Sequence, residues 1–218
     1  MKTNYSANYC AMRHAIRGMV LVLVVTLLAA ATALAQQSGS SANSRIDLFG
    51  GYSFWAPSGK INGYSYRSVT PGAEFSFAYY FHKNLGAEVE YDYHPTNGTN
   101  GGFSVTGGPI YRVPEGNYSL FAHALVGENR VSGPNQPSIN GSSFFFEKCT
   151  LGPQFTLGGG VDYTPHAHHG MLGFRIFQVD YQLSHIDYGP LKQTTGGIVT
   201  LNSFRISTGI VLHFNFKK

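Results

Sequence analysis

The chain has 218 residues, of which 12% are charged and 14% aromatic, a composition that suits one folded domain and excludes a disordered chain. The formal net charge is +4. Three of the 15 basic residues lie within the first 17 positions, however, and no acid precedes Asp47. The rest of the chain is therefore almost neutral, which gives no reason to expect a nucleic-acid partner.

The first 35 residues have the pattern of a secretory signal peptide. An apolar run from Met19 to Ala35 follows Lys2, Arg13 and Arg17, and it closes on a small-x-small cleavage sequence at residues 33–35. We therefore predict a signal peptide over residues 1–35, a short lead over 36–44 and one β-barrel domain over 45–218. Cys149 is then the single cysteine after cleavage, so no internal disulfide is expected.

Eight segments after the signal peptide alternate between apolar and polar residues with a period of two, which indicates β-strands. Leu85–His94 is the clearest of them, because Leu85, Val89 and Tyr93 alternate with Glu88, Glu90 and Asp92. In chain order the predicted strands are Arg45–Trp55, Gly72–Phe81, Leu85–His94, Phe103–Val113, Tyr118–Arg130, Pro153–Tyr163, Met171–Ser184 and Ser203–Phe216.

The predicted connections alternate between long and short, with 16, 3, 8, 4, 22, 7 and 18 residues in chain order. An antiparallel meander in which every second connection is long places all its long loops at one end of the sheet. Even strand number, short turns at one end and long loops at the other are typical of bacterial outer-membrane barrels. We therefore predict an all-β, eight-stranded, antiparallel, up-and-down transmembrane β-barrel, with loops 56–71, 131–152 and 185–202 at its outer end.

The polar faces of the predicted strands carry many ionisable residues, which would fill the lumen of such a narrow barrel. Buried charges need partners, so we expect a structural ion-pair network around two arginines. Antiparallel register places Glu74 near Asp92, and Asp180 and Arg205 on adjacent strands are expected to pair diagonally. The predicted lumen network comprises Glu74, Glu88, Glu90, Asp92, Arg112, Asp180 and Arg205. The same faces also hold Asp47, His123, Asp162 and His213.

Four stretches carry a family resemblance: Ile46–Phe54, Gly158–Tyr163, Arg175–Tyr181 and the closing strand. They resemble the outer membrane protein β-barrel superfamily, which includes the N-terminal barrel of outer membrane protein A and the small barrels of the X and W type. The resemblance implies an outer-membrane location, contact with outer-membrane lipid and lipopolysaccharide, and assembly by the barrel-insertion machinery. It also implies a role in envelope integrity, adhesion or solute passage. One departure is that Lys217 and Lys218 follow Phe216, whereas the family usually ends on a phenylalanine.

The sequence offers little catalytic or cofactor chemistry. His166, His168 and His169 form the most ligand-like cluster, but they fall in a predicted polar turn beside Pro165, so no metal site is assigned to them. No serine and histidine come within reach of each other as a nucleophile and its base, because Ser207 and His213 are six residues apart on one strand. We therefore expect no enzyme activity and no cofactor. The run Phe144–Phe146 favours either a loop contact or an extension of the next strand.

Three functional hypotheses follow. The first is a structural or surface-interacting outer-membrane barrel, whose long loops form its contact surface. The second is a narrow channel or transporter for small or apolar solutes. The third is a soluble, exported, lipocalin-like barrel, in which the apolar faces would point inward and the acidic faces outward. Alternation alone does not separate the third hypothesis from the other two.

Overall fold

The computed structural model describes residues 44–61, 64–67, 70–95, 102–131, 151–165, 171–187 and 198–216. These ranges form a single antiparallel sheet that closes on itself, since β1 pairs with both β3 and β9. The strands are β1 Ser44–Ile61, β2 Tyr64–Arg67, β3 Thr70–Tyr80, β4 Leu85–His94, β5 Gly102–Glu115, β6 Tyr118–Val131, β7 Leu151–Tyr163, β8 Leu172–Asp187 and β9 Ile198–Phe216.

The barrel wall has eight strands, because β2 pairs only with the outer end of β1 and continues the hairpin that β1 forms with β3. All eight predicted strands are present, and the predicted all-β, eight-stranded antiparallel barrel is confirmed. None of the residues that the structure describes forms a helix able to cross a membrane. Residues 1–43, which contain the predicted signal peptide and most of the lead, lie outside the described ranges.

The predicted strict alternation of short and long connections does not hold, because 164–171 at one end has eight residues and 95–101 at the other end has seven. Three connections gather at one end of the barrel, as predicted. They are residues 81–84 between β3 and β4, Gly116-Asn117 between β5 and β6, and residues 164–171 between β7 and β8. Gly116 has a φ of 61°, the left-handed conformation that a two-residue hairpin turn requires and that glycine adopts without strain. Both ends of the wall, Ser44 and Phe216, pair with each other at this same end. We call it the inner end and the opposite end the outer end.

The predicted lengths of the long loops are wrong, because the strands continue well beyond the apolar pattern. In place of a loop over 56–71, β1 runs to Ile61, β2 covers 64–67 and β3 begins at Thr70. In place of a loop over 185–202, β8 runs to Asp187 and β9 begins at Ile198. The strands continue because backbone pairing persists where alternation fades, as in the ladder from Ser184↔Leu201 to Asp187↔Ile198. In the predicted loop 131–152, residues 132–150 lie outside the described ranges.

The barrel has an inverted polarity: apolar side chains point outward and polar side chains point inward. Phe75 is 54% exposed, Leu120 55% and Phe204 58%, whereas Glu74 and Arg205 are fully buried. A soluble barrel would bury these apolar side chains, so the third hypothesis is wrong about which face lines the interior. The exposed wall residues include Leu48, Tyr52, Phe54, Phe77, Val89, Tyr91, Val105, Leu157, Val179, Ile206, Ile210 and Leu212.

Candidate functional site in the barrel lumen

The lumen is packed with ionisable side chains from every long strand of the wall. Among the described residues, seven carboxylates are buried there together with three arginines and three histidines. All seven residues of the predicted network lie in this lumen. The buried ionisable residues are Asp47, Glu74, Glu88, Glu90, Asp92, Asp162, Asp180, Arg112, Arg175, Arg205, His94, His123 and His213.

Arg205 lies at the centre of the lumen and binds carboxylates from three strands. Its Nη1 is 2.7 Å from Glu90 Oε1, and its Nε is 3.0 Å from Asp180 Oδ2 and 3.3 Å from Glu74 Oε2. Asp180 and Arg205 are directly opposite each other in the β8–β9 ladder, so the predicted pair is present but is direct and not diagonal. Asp92 is a more distant partner, with its Oδ2 3.6 Å from Arg205 Nη1.

Uncharged side chains complete the hydrogen bonding of this central layer. Gln178 donates from Nε2 to Glu74 Oε1 at 3.0 Å and to Asp180 Oδ2 at 2.7 Å. The Ser207 hydroxyl donates to the other oxygen of Glu74. The predicted register of Glu74 opposite Asp92 is present in the β3–β4 ladder. Glu74 is thus held by neutral donors as well as by Arg205, which lowers the cost of burying its charge.

His123 links two more carboxylates on opposite sides of its ring. Its Nδ1 is 2.7 Å from Glu88 Oε2 and its Nε2 is 2.9 Å from Asp180 Oδ1. Gly158 lies between His123 and Asp180 in the sheet and is paired with both. A Cβ on Gly158 would come 1.8 Å from Asp180 Oδ1, so the missing side chain is what leaves room for this contact.

A second ionic layer lies nearer the inner end and includes an arginine that the alternation did not reveal. Arg112 pairs with Asp162, and its Nη2 is 3.2 Å from Asp47 Oδ2. Arg175 donates from Nε to Asp162 Oδ1 at 2.9 Å. The guanidinium of Arg175 is stacked between two rings, with its Cζ 4.1 Å from the centroid of Phe49 and 4.2 Å from that of Phe121.

A β-bulge explains why Arg175 faces the lumen although the alternation predicts the opposite. The β8–β9 register shifts between Arg175 and Gln178, and the two intervening side chains, Ile176 and Phe177, both point outward at 49% and 46% exposure. Strict alternation through the bulge assigns Arg175 to the outer face together with Phe177. The bulge reverses that assignment, and the lumen gains a third buried arginine.

The outer end of the lumen is closed by apolar side chains. Trp55, Val131, Ile186, Val199 and Leu201 form one buried cluster inside the barrel. Below it a cavity of about 10 Å³, room for roughly one water molecule, is lined by Trp55, Asp92, His94, Ser104, Asn129, Gln154 and Gln182, among others. This cluster and the rings of Phe49 and Phe121 in the inner layer are buried inside the barrel.

Ser53, His94 and Asp92 come together beside this cavity, so the prediction that no serine and histidine come within reach of each other is wrong. The Ser53 hydroxyl donates to Asp92 Oδ1 at 3.1 Å and lies 3.4 Å from His94 Nε2. Asp92 Oδ2 contacts the same Nε2 at 3.0 Å, whereas Nδ1 faces the Thr70 carbonyl at 2.9 Å. A serine hydrolase needs the acid and the serine on different ring nitrogens. All three side chains are also buried, and the cavity beside them has no room for a substrate.

Other features noted in the sequence lie outside the described ranges. They are the histidines at 166, 168 and 169, the triple phenylalanine at 144–146 and Cys149. The lack of an assigned metal site at those histidines therefore stays a prediction.

Comparison with protein family models and with characterised protein sequences finds no match. Comparison with solved structures does find matches. Neisserial surface protein A is 15% identical, with a TM-score of 0.50 over 78% of this chain and 97% of that protein. OprG from Pseudomonas aeruginosa is 16% identical, with a TM-score of 0.47 over 81% and 98%. The Yersinia pestis attachment invasion locus protein Ail is 18% identical, with a TM-score of 0.39 over 79% and 100%. The chain has the fold of the small eight-stranded outer-membrane barrels.

Proposed function

We propose that the chain is a bacterial outer-membrane protein that spans the bilayer as a filled, non-conducting barrel with a structural or surface-interacting role. The observation that carries the proposal is the inverted polarity. A closed sheet that exposes Phe75, Leu120 and Phe204 and buries Glu74 and Arg205 matches a hydrocarbon solvent outside and a polar lumen inside. In water the same wall would expose a continuous apolar belt and would aggregate.

The filled lumen favours a structural role over transport. Arg205 connects β9 to β3, β4 and β8, and Gln178 fills the remaining space between Glu74 and Asp180. A solute would have to separate these pairs inside a low-dielectric wall, where breaking a buried ion pair costs several kcal/mol. The channel hypothesis therefore requires a rearranged lumen.

The partners of such a barrel are outer-membrane lipid and lipopolysaccharide along the apolar wall and the barrel-assembly machinery during insertion. The outer end, where strands β1, β8 and β9 extend furthest, supplies the surface for adhesion or for contacts that support envelope integrity. We expect no catalysis, since the serine, histidine and aspartate at the outer end are sealed inside the wall.

Membrane fractionation tests this proposal. The full chain is expressed in a Gram-negative host, the inner and outer membranes are separated on a density gradient, and each fraction is run in SDS with and without boiling. We expect the protein in the outer-membrane fraction with a mobility that changes on boiling, since closed barrels resist SDS until heated. Recovery from the soluble periplasm with no mobility change would refute it.

Planar-bilayer recordings on the same purified protein test the alternative. A filled lumen predicts no conductance steps above those of the protein-free bilayer. Reproducible steps that disappear on omission of the protein would favour the channel hypothesis instead.

A further inference from the structure

One group of lumen side chains has the composition of a metal-binding site. Glu90, His123 and Asp180 each offer one ligand atom, all three atoms lie within 4.8 Å of one another, and all three residues are buried. One imidazole nitrogen and two carboxylate oxygens are ligands that zinc and neighbouring divalent transition metals accept. Such ions hold their ligand atoms roughly 3.3 Å apart. The contact of 2.9 Å between His123 Nε2 and Asp180 Oδ1 therefore has to widen slightly around an ion.

Arg205 contacts one oxygen of each carboxylate, Oε1 of Glu90 and Oδ2 of Asp180. The other oxygen of Glu90, Oε2, has a long contact of 3.4 Å with Gln178 Nε2. The other oxygen of Asp180, Oδ1, is hydrogen-bonded to His123 Nε2 at 2.9 Å. An ion held by Glu90 Oε2, Asp180 Oδ1 and His123 Nε2 would replace that hydrogen bond.

Glu88 provides the outer support that metal-bound histidines usually have. Its Oε2 lies 2.7 Å from His123 Nδ1, the ring nitrogen opposite the donor atom. A carboxylate in this place fixes the orientation of the ring and raises the basicity of the ligating nitrogen. Glu88 and His123 thus form the carboxylate–histidine pair that orients metal-bound histidines in other proteins.

A second observation concerns a buried polar group beside Glu90 in the sheet. Thr106 is directly opposite Glu90 in the β4–β5 ladder and is 1% exposed, yet its Oγ1 has no hydrogen-bond partner among the described residues. Buried polar atoms are almost always satisfied, so this hydroxyl indicates a ligand or a water next to Glu90.

The charge balance of this layer favours the binding of a cation. Glu74, Glu88, Glu90, Asp92 and Asp180 contribute five carboxylates. Among the described residues, Arg205 is the permanently charged group that contacts them, and it reaches four of the five. A histidine that binds a metal ion is neutral and adds no positive charge. Uncompensated negative charge in a closed lumen is costly, and a divalent ion removes the deficit.

We propose that Glu90, His123 and Asp180 bind one divalent transition-metal ion, with zinc as its representative, while Glu88 orients His123 and Arg205 orients the two carboxylates. The site uses only lumen residues and does not depend on where the barrel resides.

The test uses the tag-free full chain, refolded in detergent, in a background where His166, His168 and His169 are replaced by glutamine. That background removes the separate histidine cluster from the measurement. The protein is stripped with a chelator and equilibrated with micromolar zinc, and bound metal is counted by mass spectrometry after removal of free ion. Heat-dependent mobility in SDS establishes that each variant is folded.

We expect one zinc per chain in the background protein and none in His123→Gln or Glu90→Gln. Glu88→Gln weakens binding by about 10–100-fold, the usual effect of losing an outer partner. His213→Gln is the matched control, because His213 is another buried lumen histidine, and its side chain is hydrogen-bonded to Asp47 and Thr164 among the described residues. We expect His213→Gln to retain one zinc per chain. Cobalt in place of zinc gives a visible spectrum of nitrogen and oxygen coordination.

The proposal is overturned if the background protein binds no zinc, or if folded Glu90→Gln binds it as tightly as the parent. Equal loss in His213→Gln would also overturn it, since that result reports general damage to the lumen. Glu90→Gln keeps the shape of the side chain, so a folded variant is available even where His123→Gln fails to refold.

Discussion

Replacing Arg205 with methionine tests the energetic importance of the central layer. The guanidinium is fully buried and contacts Glu74, Glu90 and Asp180 at 2.7–3.3 Å. Methionine fills a similar volume but leaves these carboxylates without their shared cation. Removing one partner of a buried ion pair costs about 3–5 kcal/mol, and we expect the free energy of unfolding to fall by that amount.

The assay is equilibrium unfolding by urea of protein refolded in detergent micelles. Trp55 is the only tryptophan of the chain, and its buried position at the outer end makes its fluorescence a reporter of barrel opening. Arg130→Met is the control, since Arg130 is an exposed arginine and its replacement should change stability by no more than about 0.5 kcal/mol.

A double variant separates charge from packing. Glu90→Gln in the Arg205→Met protein removes one of the stranded carboxylates, so it should recover part of the loss, with a coupling energy of about 0.5–3 kcal/mol. A loss below about 1 kcal/mol in Arg205→Met, or no coupling to Glu90, would refute the reasoning that the layer is held by charge pairing.

Two further predictions concern the wall and its glycines. Gly158→Ala places a Cβ against Asp180 Oδ1 and should destabilise the barrel by about 1–3 kcal/mol, whereas Gly50→Ala meets only ordinary contacts and should not; urea unfolding compares them, and equal effects would contradict the role given to Gly158. Val89→Arg, on the wall near the middle of β4, should cost about 2–4 kcal/mol in lipid, and Val113→Arg, near the inner end of β5, about 0–1 kcal/mol. Refolding in lipid vesicles measures both, and a cost that does not depend on depth would contradict the assignment of this wall to lipid.

The strands and their two faces could be predicted because a period of two is a local property. The bounds that alternation predicts for Leu85–His94 are those of β4, and the acids of this strand face the lumen. The hairpin between β1 and β2 was also open to prediction. Asn62-Gly63 lies between the paired residues Ile61 and Tyr64, and Asn-Gly between two strands is a strong hairpin signal that the prediction of a 16-residue loop ignored.

The contacts within the lumen depend on features that alternation does not encode. The bulge after Arg175 changes which side chains point inward, and no residue type in that stretch announces it. Contacts such as Gln178 with Glu74 join strands on different sides of the barrel, 104 residues apart in sequence. They depend on how the closed sheet is staggered, so partners across the barrel could not be predicted, whereas the pair of Asp180 and Arg205 on adjacent strands could.

Tryptophan quenching by brominated lipid tests directly whether the apolar wall faces hydrocarbon and the polar face lines a closed lumen. The wild-type chain, with Trp55 inside the barrel, is compared in brominated vesicles with a Trp55→Phe, Phe77→Trp variant, whose single tryptophan lies on the exposed wall. We expect strong quenching of the tryptophan at position 77 and little quenching of Trp55. Strong quenching of Trp55 with a protected tryptophan at position 77 would mean that the polarity of the barrel is the reverse of the one described.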